Sequence, residues 1–85
     1  MTWTVLVANP ARKQRGKFPA KDQARVSAAI AQMSDDPFAG DVLKLAGEVN
    51  RWRRRVGSYR IFFLVDAPAH TVFITAIVRR ASTTY

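Results

Sequence analysis

Five arginines fall within ten residues of the stretch 50–63, NRWRRRVGSYRIFF: Arg51, Arg53, Arg54, Arg55 and Arg60. The runs on either side of Gly57-Ser58, residues 51–56 and 59–65, read as paired β-strands. Successive side chains on a strand point to opposite faces. Arg51, Arg53 and Arg55 therefore share one face, and Trp52, Arg54 and Val56 share the other. A guanidinium is a planar fork of donors that meets phosphate oxygens in pairs and stays charged at any physiological pH. A strand-borne row of such groups is a device for holding a phosphodiester. The plainer alternative is a solvated basic face, and the period-two placement favours a site.

The charge of the whole chain agrees with that reading. Fourteen Lys and Arg against six Asp and Glu give +8, with an isoelectric point near 11.2. The expected partner is anionic: nucleic acid, an acidic protein, or both. From Arg51 onward there are seven arginines, no lysine and one carboxylate, Asp66. With no cysteine, a disulfide framework and a thiolate metal site are excluded. No cluster of carboxylates and histidines stands in their place, so metal-independent chemistry without a cofactor is expected. The lone His70 falls in a predicted turn without a visible partner. A hydrophobic fraction of 48% is enough for a core. No apolar run approaches the ~20 residues of a membrane span, and the short apolar run of the first residues precedes its basic residues, the reverse of a signal peptide. Residues 1–85 are read as one cytoplasmic domain.

The remaining sequence supplies a scaffold. Residues 2–8, TWTVLVA, are rich in β-formers and read as a first strand, closed by Asn9-Pro10. The basic run 11–17 reads as a short helix or an irregular connection. Pro19 suits the first residue of a helix, and Asp22 in its first turn suits the helix dipole. Val26, Ala29, Ile30 and Met33 give that helix an apolar stripe, and Asp35-Asp36-Pro37 stops it near Ser34. Residues 37–41 read as a loop in which Phe38 plugs the core edge. In 43–47, LKLAG, Leu43 and Leu45 are expected to be buried and Gly47 to turn the chain. After Arg60 the strand 59–65 is apolar on both faces, which predicts a central strand covered on both sides. A turn at 66–70 leads to a fourth strand, 71–78, closed by Arg79-Arg80 and a polar tail. The expected architecture is α+β: one strand, one or two helices, then a three-stranded antiparallel meander.

Taken in order, DPFAGDVLKLAG at 36–47, WRRRVGSYRIFF at 52–63 and VFITAIVRRASTTY at 72–85 resemble the RelE/ParE superfamily of toxins from type II toxin–antitoxin operons. The resemblance spans essentially the whole chain and points to the RelE-like branch. It implies a RelE-like fold and a toxin that an acidic, partly disordered antitoxin neutralises by wrapping around it as a hetero-oligomer. RelE-like members cleave mRNA in the ribosomal A site, whereas ParE-like members poison DNA gyrase and lack the ribonuclease residues. A degenerate member that only binds nucleic acid or antitoxin is a third alternative. Carried over from the RelE-like branch, the catalytic set is Arg53 and Arg55 on the second strand, Arg60 on the third, Arg79 closing the fourth, and Tyr85 in the tail. Arg51, Arg54 and Arg80 are the adjoining RNA-binding candidates. Arg54 departs from the family pattern, which has an apolar residue there, and is expected to stack on Trp52 or contact the antitoxin. Lys13, Arg15, Lys17 and Lys21 form a second basic group, read either as a grip on ribosomal RNA phosphates or as a solvated face.

Metal-free RNA cleavage needs three things: removal of a proton from the 2′-OH, stabilisation of the phosphorane charge, and help for the departing 5′-oxygen. Fixed guanidinium groups serve the second need, which is generally the largest contribution. They serve the first badly, because arginine does not give up its proton. A tyrosine among cations ionises more readily, so Tyr85 is the candidate proton carrier, provided that RNA or ribosome orders the chain's last residue.

Overall fold

The structure, a computed structural model, describes residues 3–47 and 49–79. Its elements run β1 (Thr4–Val7), α1 (Asn9–Gly16), α2 (Ala20–Gln32), β2 (Asp41–Lys44), β3 (Arg51–Val56), β4 (Tyr59–Asp66) and β5 (Thr71–Arg79). One sheet holds the five strands in the order β1-β5-β4-β3-β2. β1 runs parallel to β5, and the other neighbours are antiparallel. Two helices on a mostly antiparallel sheet make this an α+β fold.

The helices share one face of the sheet because their small and apolar positions match its inward residues. Ala11 of α1, Val26 and Ala29 of α2, and Met33 at its C-cap meet Tyr59, Ile61, Phe63 and Val65 of β4 and Val72, Ile74 and Ile77 of β5 in a single buried cluster. Asn9-Pro10 does more than end the first strand: it opens α1, where proline's fixed φ and missing N–H fit the first turn. From α1 the Gln14 side-chain oxygen accepts the Ile77 backbone N–H at 2.8 Å. That N–H lies just past an irregularity in the β4–β5 pairing. Phe62 pairs with Ala76 and Phe63 with Ile74, so Thr75 is the extra residue of a bulge. Its hydroxyl donates to the Phe62 carbonyl at 3.3 Å.

Two expectations about this scaffold need correction. Residues 41–44, read as loop and turn, form the edge strand β2 against β3. Leu43 pairs with Arg53 on the face away from the helices and is 55% exposed rather than buried; Leu45 is half-buried. β4 is central as expected, yet it is covered on one face only. Its inward residues are buried, while Arg60, Phe62 and Leu64 on the other face are half-buried. Gly57, at φ +57°, makes the two-residue β3–β4 turn.

Candidate functional site

The open face of the sheet is a grid in which directly paired residues share a side. One rung runs Asp41–Arg55–Arg60–Val78 across β2, β3, β4 and β5. The next runs Leu43–Arg53–Phe62–Ala76, and a third carries Arg51 opposite Leu64. Arg51, Arg53 and Arg55 thus stand on one face at the two-residue repeat of a strand, about 6.8 Å apart along β3, with Arg60 beside Arg55. Like charges directly opposite each other are unfavourable unless an anion sits between them, so the Arg55–Arg60 pair marks the point on this face best prepared for a phosphate.

An internal carboxylate already answers part of that charge. Asp41 Oδ2 accepts from Arg55 Nε at 2.9 Å, and Asp41 Oδ1 lies 3.5 Å from Arg53 Nη1. Both Asp41 and Arg55 side chains are half-exposed, so solvent screens the pair and its contribution to stability is small. Its effect is geometric: one carboxylate holds two guanidinium groups side by side. Residue reading alone missed Asp41, because its place against Arg55 exists only once β2 is recognised as a strand.

Arg54 belongs elsewhere. It is 8% exposed and lies on the helix side of the sheet. Its Nη1 donates to the Ala29 carbonyl at 3.2 Å and its Nη2 to Gln32 Oε1 at 2.6 Å, both in the last turn of α2. Gly40, with φ +86°, passes so near that a Cβ there would stand 3.0 Å from the guanidinium. The expectation that Arg54 binds RNA or antitoxin is corrected: a long polar head on the inward face found its partners at a helix C-terminus, where positive charge is favoured. Trp52, also inward, packs against the core and meets Phe38 with ring centroids 4.8 Å apart.

The bulge also separates Arg79 from the other candidates. Arg79 pairs with Tyr59, a buried residue of the helix side, whereas Arg60 pairs with Val78 on the open side. The structure brings Arg53, Arg55 and Arg60 together and places Arg79 on the opposite face. There the Tyr59 hydroxyl donates to Asp22 Oδ2 at 2.7 Å. The phenol is raised above its ordinary value of 10.0, first by that hydrogen bond and then by burial, while Arg79 and Arg25 act in the opposite direction. Lys13, Arg15, Lys17 and Lys21 lie on or between the two helices, so the sheet stands between them and the arginine row. His70 stacks on Trp3, with ring centroids 4.0 Å apart. Tyr85 and Arg80 lie outside the described residues. Among the described residues, no three histidine, cysteine or carboxylate side chains are grouped to hold a metal, and no helix is long and apolar enough to cross a membrane.

No family model and no curated protein matches the chain. Solved structures do. The RelBE2 toxin–antitoxin complex of Mycobacterium tuberculosis is similar over 94% of this chain and 100% of that one, with a TM-score of 0.84 and 26% identity. The chain has the fold of RelE-like toxins. The archaeal RelE–RelB complex of Pyrococcus horikoshii gives a TM-score of 0.85 at 23% identity, over 98% of this chain and 100% of the other. The isolated E. coli RelE toxin gives 0.82 at 14% identity, over 98% and 89%. At those two identities the likeness concerns the RelE-like fold alone.

Proposed function

We propose that this RelE-like chain is the toxin of a toxin–antitoxin pair and cleaves mRNA on the ribosome without a metal. The observation that carries the reading is the open-face cluster of Arg53, Arg55 and Arg60, with Arg55 directly across from Arg60. The 2′-oxygen attacks its neighbouring phosphorus and the bond from phosphorus to the 5′-oxygen breaks, leaving a 2′,3′-cyclic phosphate and a 5′-hydroxyl. Arg55 and Arg60 hold the oxygens on which charge builds, and Arg53 holds the adjoining phosphate. Tyr85 takes the 2′-OH proton and a proton returns to the departing 5′-oxygen. Arg79, set on the opposite face beside Tyr59, takes no part in holding this phosphate. The +8 charge and the antitoxin complexes among similar structures support an acidic antitoxin as partner. Cleavage on ribosomes places the action in the cytoplasm.

The test is induction of the chain in bacteria followed by primer extension on a translated reporter. Discrete cuts inside codons, absent when translation is blocked and absent for Arg60→Glu with its fold intact, are expected. Growth arrest with intact mRNA would overturn the reading and point to gyrase. Undiminished cutting by Arg60→Glu would overturn the assigned residues.

A further inference from the structure

The open face carries more than charge. Toward β5 and β1 each arginine rung continues into apolar side chains. Arg53 pairs with Phe62; Arg51 pairs with Leu64, Leu64 with Phe73, and Phe73 with Leu6 of β1. Phe73 remains 39% exposed and Leu6 48%, although both are large and apolar. Beside them lies an open depression of about 490 Å³, lined in part by Asn50, Leu64, Pro68 and Phe73. The helices cover the other face, so nothing within the described chain buries these side chains.

We propose that this apolar half of the open face is a stacking platform for the nucleobases of single-stranded RNA whose phosphates lie on the arginine row. The inference rests on the ribonuclease reading of the same face. Alternate arginines on β3 recur about every 6.8 Å, close to the repeat of an extended phosphodiester, so one strand edge can track successive phosphates. Bases project sideways from such a backbone. The neighbouring strand, about 4.8 Å away, presents Phe62 and Leu64, with Phe73 beyond. Aromatic rings beside a cationic track are the general means of holding single strands without reading sequence.

The rungs also differ in a way that orders the nucleotides. The Arg51 and Arg53 rungs each pair one cation with an apolar side chain, suited to a phosphate and its base. The Arg55 rung pairs two cations and reaches an apolar side chain only at Val78. It holds a phosphate doubly and a base hardly at all. The scissile phosphate therefore belongs at Arg55 and Arg60, and the platform grips the nucleotides on the Arg53 and Arg51 side of it. An acidic, apolar protein segment could also cover such a face. One cation beside one apolar group on successive rungs fits the repeat of a nucleotide better than that of a peptide.

The purified full chain can be titrated by fluorescence anisotropy with two short oligonucleotides. One is a 2′-methoxy RNA, which cannot be cut, and the other carries the same phosphates with abasic sugars. Stacking predicts that the base-bearing strand binds at least about five-fold tighter. The Phe62→Ala/Phe73→Ala variant should bring it down to the abasic level without altering abasic binding. Phe62→Leu, which keeps an apolar side chain on the open face without an aromatic ring, should lose part of the preference. Arg53→Ala should weaken both strands alike. Equal affinity of the unmodified chain for both strands would overturn the platform and assign the apolar face to a protein partner. So would phenylalanine variants that weaken both strands equally. Ribosomal cutting without a base preference would sink the platform and spare the ribonuclease. A base preference without cutting would do the reverse.

Discussion

Arg54 offers the sharpest separation of a charge that builds the fold from charges that meet a ligand. Truncation by Arg54→Ala removes the donors to Ala29 O and Gln32 Oε1. The Ala29 carbonyl lies where α2 tightens, since the Met33 N–H turns to Ile30 O at 3.0 Å. Hydrogen bonds to a charged group contribute about 1.5–3 kcal/mol each. Part of that is offset, because the variant also spares the desolvation of a buried cation. A net loss of about 2–4 kcal/mol follows, which for a chain of this size lowers the melting temperature by roughly 10–30 °C. Arg54→Met, apolar and of similar length, should fall within about 1 kcal/mol of the original, since apolar replacement of buried charge is often neutral. Gly40→Ala adds an independent check. Its positive φ should cost about 1–2 kcal/mol by strain, with an added clash against the guanidinium 3.0 Å from the new Cβ. In an Arg54→Ala background the clash disappears and the strain remains, so the two changes should not add. Urea and thermal unfolding, read beside oligonucleotide binding, check all of this. The reasoning is refuted if Arg54→Ala melts within a few degrees of the unmodified chain, or if it weakens RNA binding as much as Arg53→Ala.

Two further outcomes concern single hydrogen bonds. Because the Tyr59 phenol is raised above 10.0 by its bond to Asp22, the folded state holds its proton more tightly than the unfolded state. The stability from this pair is fully present below pH ~10 and is lost as pH climbs through the raised value. Denaturant midpoints of the original chain and Tyr59→Phe should therefore converge in strong alkali; a constant gap from pH 7 to 12 would refute it. Asp41→Asn removes the carboxylate that engages Arg53 and Arg55. It should tighten single-stranded RNA and steepen the salt dependence, because both guanidinium groups become available to phosphate; unchanged affinity and slope would show that Asp41 does not compete for them.

The β3–β4 hairpin and α2 were legible because their side-chain periods are carried by strong markers: arginines alternating with Trp52 and Val56, and an apolar stripe ended by Asp35-Asp36-Pro37. β2 was not, since four residues, DVLK, hold too few repeats to declare a strand, and its partner supplies the ladder. Without β2, Asp41 had no visible relation to the row. Arg54 shows a different limit. Alternation placed it on the inward face, while its chemistry argued for the surface; only the position of the α2 C-terminus resolves the conflict. Arg79 was grouped with Arg60 through the family resemblance alone, and nothing in the residues of β5 announces the unpaired one that sets the two on opposite faces.

The unpaired residue is Thr75, and its consequence reaches beyond its own hydrogen bond. It shifts β5 by half a pleat, so everything after it trades sides: Ile77 turns into the core and Arg79 toward Tyr59. A single codon lost or gained there would exchange which surface the end of β5 serves, with the composition nearly unchanged. Gln14, by holding the Ile77 N–H, acts as the latch on that phase. A chain with the same basic ending but without that residue would therefore present it from the other side of the sheet, and a ruler laid along the sequence would not tell the two apart.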